Sequence, residues 1–145
     1  MKKLILFLLC LMLLLPNYCL AVNLKEKACT LLSVTTVALN ANAHTTLYTV
    51  PTGKRCILIL AVLVAGADAG TTQVSIGANG TETDFIPANT LSNVDAQYDC
   101  AILMPVPNTT PTKTKSYAPG TVIEIAVTNQ AGGATNTVYL YGTLY

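Results

Sequence analysis

Few side chains in this sequence could transfer protons or bind a metal ion. The 145 residues include one histidine, His44, in the turn-like stretch ANAHTT, where we expect a surface residue. We expect the acidic residues to be solvated, at strand ends and in loops, rather than paired as glycosidase carboxylates. The acidic residues that could form such a pair, five of the seven in the chain, are Glu82, Asp84, Asp95, Asp99 and Glu124.

Motifs for metal binding and for nucleophilic catalysis are missing. Asp84, Asp95 and Asp99 do not have the spacing of an EF-hand calcium loop. One histidine and no Cys-x-x-Cys pair do not make a structural zinc site, and no Gly-x-Ser-x-Gly motif places a nucleophile. We therefore predict a protein that is not an enzyme, with no catalytic residue, no metal and no cofactor.

The stretch LYTVPTGKRCILILAVLVAG, residues 47–66, contains a Gly-Lys pair ahead of an apolar run. A phosphate-binding loop needs an earlier glycine, a Ser or Thr after the lysine, and a following helix. Here Tyr48 occupies the glycine position, Arg55 follows Lys54, and the next residues are apolar and rich in Ile, Leu and Val. The pattern predicts a Pro-Gly turn leading into a strand, and no nucleotide site.

The N-terminal segment, MKKLILFLLCLMLLLPNYCLA, has the pattern of a secretory signal peptide. Lys2 and Lys3 precede an apolar core, Leu4–Leu15, and Ala21 ends the segment. The core is shorter than the roughly 20 residues that span a bilayer. We predict cleavage after Ala21, no membrane span after cleavage, and a secreted, cell-surface or periplasmic protein with a bacterial type of signal.

The chain is poor in charge. Charged residues make up 10% of it, against about 25% in typical globular domains. Eight Lys plus Arg face seven Asp plus Glu, so that loss of Lys2 and Lys3 leaves a net charge of −1 on residues 22–145. Binding to nucleic acid requires a basic patch, and we predict no nucleic-acid partner.

Runs rich in Thr, Val, Ile and Tyr, separated by turns with Gly, Pro and Asn, fill the chain after residue 30. Such runs are typical of short strands. We predict an all-β antiparallel β-sandwich, a jelly roll of about eight strands, with an immunoglobulin-like sandwich as the alternative. The expected domains are a signal peptide (1–21), an N-terminal connector (22–30) and the sandwich (31–145). The predicted strands are 31–39, 45–50, 55–65, 72–78, 83–87, 98–106, 121–129 and 136–145.

The run Cys56–Ala65 is apolar on both faces of the strand that it predicts. A two-layer sandwich buries one face of each sheet, so the other face needs a second cover. Two covers are open: another copy in a homo-oligomer, such as a trimer, or the long loop PNTTPTKTKSYAPG. For an oligomer, the contact residues would be Ile57, Leu58, Ile59, Leu60, Val62, Leu63 and Val64.

Three cysteines follow the predicted cleavage site: Cys29, Cys56 and Cys100. In an oxidising compartment one pair could form a disulfide. We favour Cys56–Cys100, because both residues lie near the starts of apolar strands. The alternative is that all three are small buried apolar residues.

Residues 47–66 resemble the LYTVPxGK strand–turn–strand opening of small phage virion-associated and prophage-type β-sandwich proteins. TDFIPANTLSNVDAQYD and the stretch from ILMPVP to the C-terminus are similar to the rest of such proteins, so the resemblance covers about residues 45–145. The last strand, YLYGTLY, is also similar to that of C1q/TNF-like jelly rolls. The resemblance implies a head or tail decoration or a fibre part. The signal peptide departs from that pattern and favours an extracellular protein built from the same module.

The sequence therefore favours a secreted, non-enzymatic structural or adhesion module that self-assembles through its apolar strand, in the manner of a virion decoration. The alternative is an extracellular carbohydrate- or ligand-binding, lectin-like sandwich, in which Tyr98 and Tyr117 stack on sugar rings. The expected partners are further copies of this chain, with a surface glycan or a cell-envelope component as a further candidate.

Overall fold

The computed structural model describes residues 29–105, 115–130 and 135–145, which form nine β-strands in two antiparallel sheets. Sheet A has the strand order β1-β9-β3-β6, with β7 also paired to β3, and sheet B has the order β2-β8-β4-β5. The described residues contain no helix that is long and apolar enough to span a bilayer. The predicted signal peptide and most of the connector lie outside the described residues. The strands are β1 (Thr30–Val37), β2 (Ala43–Thr49), β3 (Cys56–Val64), β4 (Gln73–Ala78), β5 (Thr81–Thr90), β6 (Cys100–Leu103), β7 (Ser116–Tyr117), β8 (Val122–Thr128) and β9 (Asn136–Leu144).

Each of the first four strands pairs with a strand from later in the chain. β1 pairs with β9, β2 with β8, β3 with β6 and β4 with β5, all antiparallel. The chain is thus one long hairpin with its tip at the Asn79-Gly80 turn, and rolling the hairpin brings β3 beside β9 and β4 beside β8. This is the connectivity of a jelly roll. It confirms the predicted all-β antiparallel sandwich.

The core lies between the two sheets and is made by alternate residues of each strand. On β8, Ile123 and Ile125 are fully buried, and on β9 the same is true of Val138 and Leu140. Alternation turns the residues between them outward. Burial of each such branched side chain contributes roughly 1.5–3 kcal/mol to folding. The face of each strand that carries these apolar side chains therefore turns towards the core.

The PTGK segment forms the turn that its sequence predicts. Gly53 has a φ of 75°, a value that favours glycine, and the Lys54 amide donates a hydrogen bond to the Pro51 carbonyl at 3.2 Å. β3 begins directly after this turn, so no helix follows the Gly-Lys pair. The pair therefore belongs to a strand–turn–strand connection.

The long loop predicted after β6 contains a short strand that its sequence did not reveal. β7 comprises only Ser116 and Tyr117, which pair with Ile57 and Cys56. Two residues are too few to show the alternation that identifies a strand. This part of the loop extends sheet A sideways instead of covering the face of β3, and residues 106–114 lie outside the described residues.

Sheet B contains a wide bulge that positions two acidic residues. The register between β4 and β5 shifts so that residues 82–85, here termed the β5 bulge, lie opposite Gly77 alone. A Cβ at Gly77 would lie 2.5 Å from the Thr81 carbonyl oxygen and 2.6 Å from Asp84 Oδ1. Glycine is needed at this position because the β5 backbone occupies the space of a side chain.

The Gly77→Ala variant is expected to lose about 1–3 kcal/mol of unfolding free energy, because the β5 bulge must move to admit the methyl group. Gly70→Ala is the matched control, since its added Cβ would meet only the flexible Asp68 carboxylate at 3.2 Å. We expect a change of less than about 0.5 kcal/mol for the control. Urea unfolding followed by circular dichroism measures both, and a Gly77→Ala variant as stable as the parent would contradict the close approach.

Candidate functional sites

Sheet B brings a histidine and two glutamates together on its outer face. His44 of β2 and Glu124 of β8 lie on neighbouring strands, and the β5 bulge carries Glu82 towards them. His44 Nδ1 lies 3.3 Å from Glu82 Oε1 and 3.8 Å from Glu124 Oε2. One ligand atom from each of the three residues lies within 4.8 Å of the other two. These three residues are termed the histidine–glutamate cluster.

Backbone and hydroxyl groups hold the carboxylates of this cluster in place. Glu124 is only 8% exposed, and the Thr46 hydroxyl donates a hydrogen bond to its Oε1 at 3.3 Å. The Gly80 amide donates to Glu82 Oε1 at 2.9 Å. Hydrogen bonds from the Glu82 and Gly80 amides lower the pKa of Glu82, and the neighbouring His44 lowers it further.

Asp84, the other acid of the β5 bulge, links the two sheets. Its carboxylate accepts hydrogen bonds from the Tyr117 hydroxyl at 2.6 Å, the Thr81 hydroxyl at 2.9 Å and the Ala78 amide at 3.3 Å. Lys115 forms an ion pair with the same carboxylate. Because Tyr117 lies on β7 of sheet A, this network ties one edge of the sandwich together.

The two tyrosines predicted to stack on a sugar have different environments. Tyr117 is 3% exposed, and burial together with its hydrogen bond to Asp84 raises the pKa of its hydroxyl. Tyr98 is 75% exposed and has a φ of 72°. The prediction for Tyr117 is wrong, because its ring is part of the core. The lectin-like alternative therefore loses one of its two aromatic residues.

The predicted Cys56–Cys100 disulfide is contradicted by the positions of its two residues. Cys56 begins β3, whereas Cys100 pairs with Val64 at the other end of that strand. About 26 Å of strand separates these positions, and disulfide Cα atoms lie within about 7 Å. All three described cysteines are unpaired, with Cys29 and Cys100 exposed. Burial raises the pKa of the Cys56 thiol to about 11.

β3 lies in the interior of sheet A, and its side chains divide between the two faces. Leu58 and Leu63 are buried in the core. These two predicted oligomer contacts are therefore corrected, because they pack inside their own subunit. Ile59 lies at a bulge in the pairing with β9. The remaining predicted contacts are half-buried and lie on the outer side: Ile57, Leu60, Val62 and Val64.

Charge is distributed very unequally between the two sheets. No described strand of sheet A carries a charged residue or a histidine, and the charged residues within two positions of its strands, Lys54, Arg55, Asp99 and Lys115, lie at strand ends. Sheet B carries His44, Glu82, Asp84 and Glu124 on its strands. The large apolar side chains that the described residues expose lie on strands of sheet A or within two residues of them: Leu31, Val34, Tyr98, Ile102, Met104 and Tyr145. We term the outer side of sheet A the uncharged face. Residues that pair across neighbouring strands have side chains on the same face of the sheet. The central residues of the uncharged face are Val34, Leu60, Val62, Val64, Ile102, Tyr139 and Tyr141.

A groove of about 570 Å³ lies between residues 89–94 and β6. Its lining contains apolar, amide and hydroxyl side chains and Cys100, but no histidine and no acid. It therefore brings together no pair of groups that could act as general acid and general base.

The histidine–glutamate cluster was not predicted from the sequence, where His44 was expected to be an ordinary surface residue. His44 and Glu124 lie far apart in the chain, and only the pairing of β2 with β8 makes them neighbours. The sequence held one signal for part of this cluster. Glu124 alternates with the buried Ile123 and Ile125, so the strand pattern places its side chain on the outer face of the sheet.

The strand connectivity defines the class of this protein: it is a jelly roll, a fold that it shares with virus capsid chains. A chain of the acidic stable capsid structure of Helicobacter pylori bacteriophage KHP30 aligns with a TM-score of 0.56 and 17% identity, over 83% of this chain and 90% of that one. A chain of the cyanophage Pam1 capsid asymmetric unit aligns with a TM-score of 0.53 and 20% identity, over 81% and 84%. The sequence matches no protein-family profile and no curated protein sequence. The neighbours agree with the predicted resemblance to phage β-sandwich proteins.

The Asp84→Asn variant is expected to be less stable than the parent by about 1–3 kcal/mol at pH 7, because an amide offers one acceptor and no charge to Lys115 and Tyr117. Burial raises the pKa of Asp84, but the hydrogen bonds outweigh burial and the net pKa is below the ordinary value of 3.8. The stabilisation is therefore complete above that value and is lost as the pH falls below it through the lower pKa of the folded state.

Urea unfolding at pH 7 and at pH 2.5, about one unit below the ordinary value, measures this effect. The difference between parent and Asp84→Asn should shrink at the lower pH. Asp95→Asn, which changes an exposed acid, is the control and should cost less than about 0.5 kcal/mol at pH 7. A difference that stays constant with pH would contradict the role given to the ionised carboxylate.

Proposed function

We propose that this protein is a non-enzymatic structural subunit that assembles with further copies of itself through the uncharged face of sheet A, in a virion-like or decoration-like role. The separation of charge between the sheets carries this proposal. A solvated sheet normally alternates apolar and polar residues, but β3 presents Leu60, Val62 and Val64 on its outer side.

The size of the uncharged face supports a role as a contact surface. Four strands about 4.8 Å apart and up to about 30 Å long cover roughly 500 Å². Apolar side chains occupy part of this area, and exposed apolar patches of a few hundred Å² on a monomer are often functional. Val34 and Ile102 lie near opposite edges of the patch and are 53% and 66% exposed.

A second copy is the occupant that fits the uncharged face best. Two such faces can meet without burying an unpaired charge, which is the main cost in an interface between charged surfaces. The proposed cleavage would remove the apolar residues 4–15, and the other segments outside the described residues are poorer covers. Residues 22–28 include Lys25, Glu26 and Lys27, and residues 106–114 are mostly Thr, Pro and Asn.

The comparisons support the same role, because the two structures described above, which align with TM-scores over 0.5, are phage capsids. In a symmetric assembly of identical chains, each chain contacts its neighbours through complementary surface patches. A chain of this fold with an apolar outer face is suited to such packing.

Assembly is expected to depend on the uncharged face. The chain without residues 1–21 should sediment as an oligomer at about 10 µM, and the number of copies, including the predicted trimer, follows from the measured mass. The Val34→Lys/Ile102→Lys variant should weaken association at least tenfold, which corresponds to about 1.4 kcal/mol. The reason is that each lysine would lose its hydration in the interface or would lie against the same lysine of the second copy. Analytical ultracentrifugation over a concentration series measures both.

The matched control is Thr49→Lys/Thr128→Lys, which adds the same charge at exposed positions of sheet B. It should assemble like the parent. All four positions are exposed, so circular dichroism should show an unchanged fold in both variants. A monomeric parent, or assembly unaffected by lysines on sheet A, would overturn the proposal.

We propose in addition that the chain is exported and acts outside the cytoplasm. The supporting pattern is Lys2 and Lys3, the apolar core Leu4–Leu15 and the small residue Ala21. Export would place the exposed Cys29 and Cys100 in an oxidising compartment.

Expression of the full chain in a bacterial host tests the export proposal. The expected product is a protein in the periplasm or medium that begins at Val22, as measured by intact mass and N-terminal sequencing. Replacing Ala21 by Arg should block cleavage, because signal peptidase sites require small residues. A full-length chain confined to the cytoplasm would be the contrary result.

A further inference from the structure

The histidine–glutamate cluster has the dimensions of a metal site. Zn²⁺ holds imidazole nitrogen and carboxylate oxygen at about 2.0–2.1 Å, so two ligands of a tetrahedral site lie about 3.3–3.4 Å apart. His44 Nδ1 lies 3.3 Å from Glu82 Oε1 and 3.8 Å from Glu124 Oε2. Closing around an ion would need shifts of well under an ångström for these two pairs.

Among the residues that the structure describes, no lysine or arginine forms an ion pair with the cluster. Glu82 and Glu124 both face the single imidazole of His44, so two carboxylates share one nitrogen partner. Of the three described Lys and Arg side chains, Lys115 pairs with Asp84, Arg55 donates to Ser116, and Lys54 follows the turn at Gly53. Glu124 is 8% exposed, and a carboxylate at such burial is stable when it is paired or binds a metal.

The groups around the cluster orient its ligand atoms. Thr46 donates to Glu124 Oε1, which leaves Oε2 turned towards His44. The Gly80 amide fixes Glu82 Oε1. Gly77, which pairs with Glu124, has no side chain and lets the β5 bulge approach. Such supporting hydrogen bonds are typical of metal ligands.

We propose that His44, Glu82 and Glu124 bind a divalent first-row transition metal, with Zn²⁺ as the ion that fits best. One nitrogen and two carboxylate oxygens suit Zn²⁺, whereas Ca²⁺ and Mg²⁺ prefer oxygen ligands alone. The three protein ligands leave a fourth position open to water, on the side where His44 is exposed. The site lies on the sheet opposite the uncharged face and does not depend on the proposed assembly.

Titration of the untagged chain with ZnCl₂ tests this site. Cys29→Ser and Cys100→Ser are introduced in all samples, since exposed thiols also bind Zn²⁺. Calorimetry should show one ion per chain, and the melting temperature should rise by about 5–10 °C when free Zn²⁺ is a hundredfold above its Kd. Co²⁺ at the same site should give the visible absorption of a four-coordinate ion, which reports on geometry independently of stability.

Variants of the ligands separate this site from unspecific binding. His44→Ala and Glu124→Gln should each abolish the Co²⁺ spectrum and the rise in melting temperature, and Thr46→Val should weaken binding roughly 10- to 100-fold. Asp68→Asn is the control, because it removes an exposed acid elsewhere and should bind Zn²⁺ like the parent. No saturable binding by the parent, or equal binding by His44→Ala, would overturn the proposal and leave His44 as a partner of the two carboxylates alone.

Discussion

Antiparallel pairing between the early and late strands of the chain is the constraint on which the rest of this structure depends. β1 and β2 find their partners in β9 and β8, nearly the whole length of the domain away. Loop-closure entropy must be overcome before such distant pairs become favourable. Because side chains alternate, a shift of one residue in any pairing would exchange the two faces of a strand. Burial of Ile123 and Ile125 therefore selects the register in which β8 pairs with its neighbours. The same register determines which side chains of β8 face outward.

The outward residues divide the molecule into two chemically different sides. Sheet A offers apolar side chains and tyrosines such as Tyr139 and Tyr141, whereas sheet B offers the histidine–glutamate cluster and Asp84. A sandwich needs only its inner faces for folding, so the outer composition is free to serve another purpose. On sheet A that composition is the basis of the proposed contact between copies, and on sheet B it is the basis of the proposed metal site.

The β5 bulge shows how one local irregularity supports several features at once. Four residues against a single glycine lift Glu82 and Asp84 out of the regular pleat. Bulges commonly redirect side chains in this way. Glu82 then reaches His44, and Asp84 reaches Tyr117 on the other sheet and Lys115 just before β7. A side chain at Gly77 would displace both Glu82 and Asp84. The same glycine therefore affects the stability of the sandwich edge and the geometry of the histidine–glutamate cluster.

The amino-acid sequence by itself determined the fold class, eight of the nine strands and the turn at Gly53, because alternation and turn residues are local signals. It also showed that Cys56–Ala65 has no polar face. Only the tertiary structure decided which residues meet. It separated Cys56 from Cys100 along β3, buried Tyr117, and placed Leu58 in the core. It also joined His44, Glu82 and Glu124. Such contacts follow from register and from bulges between distant strands, which no local pattern encodes.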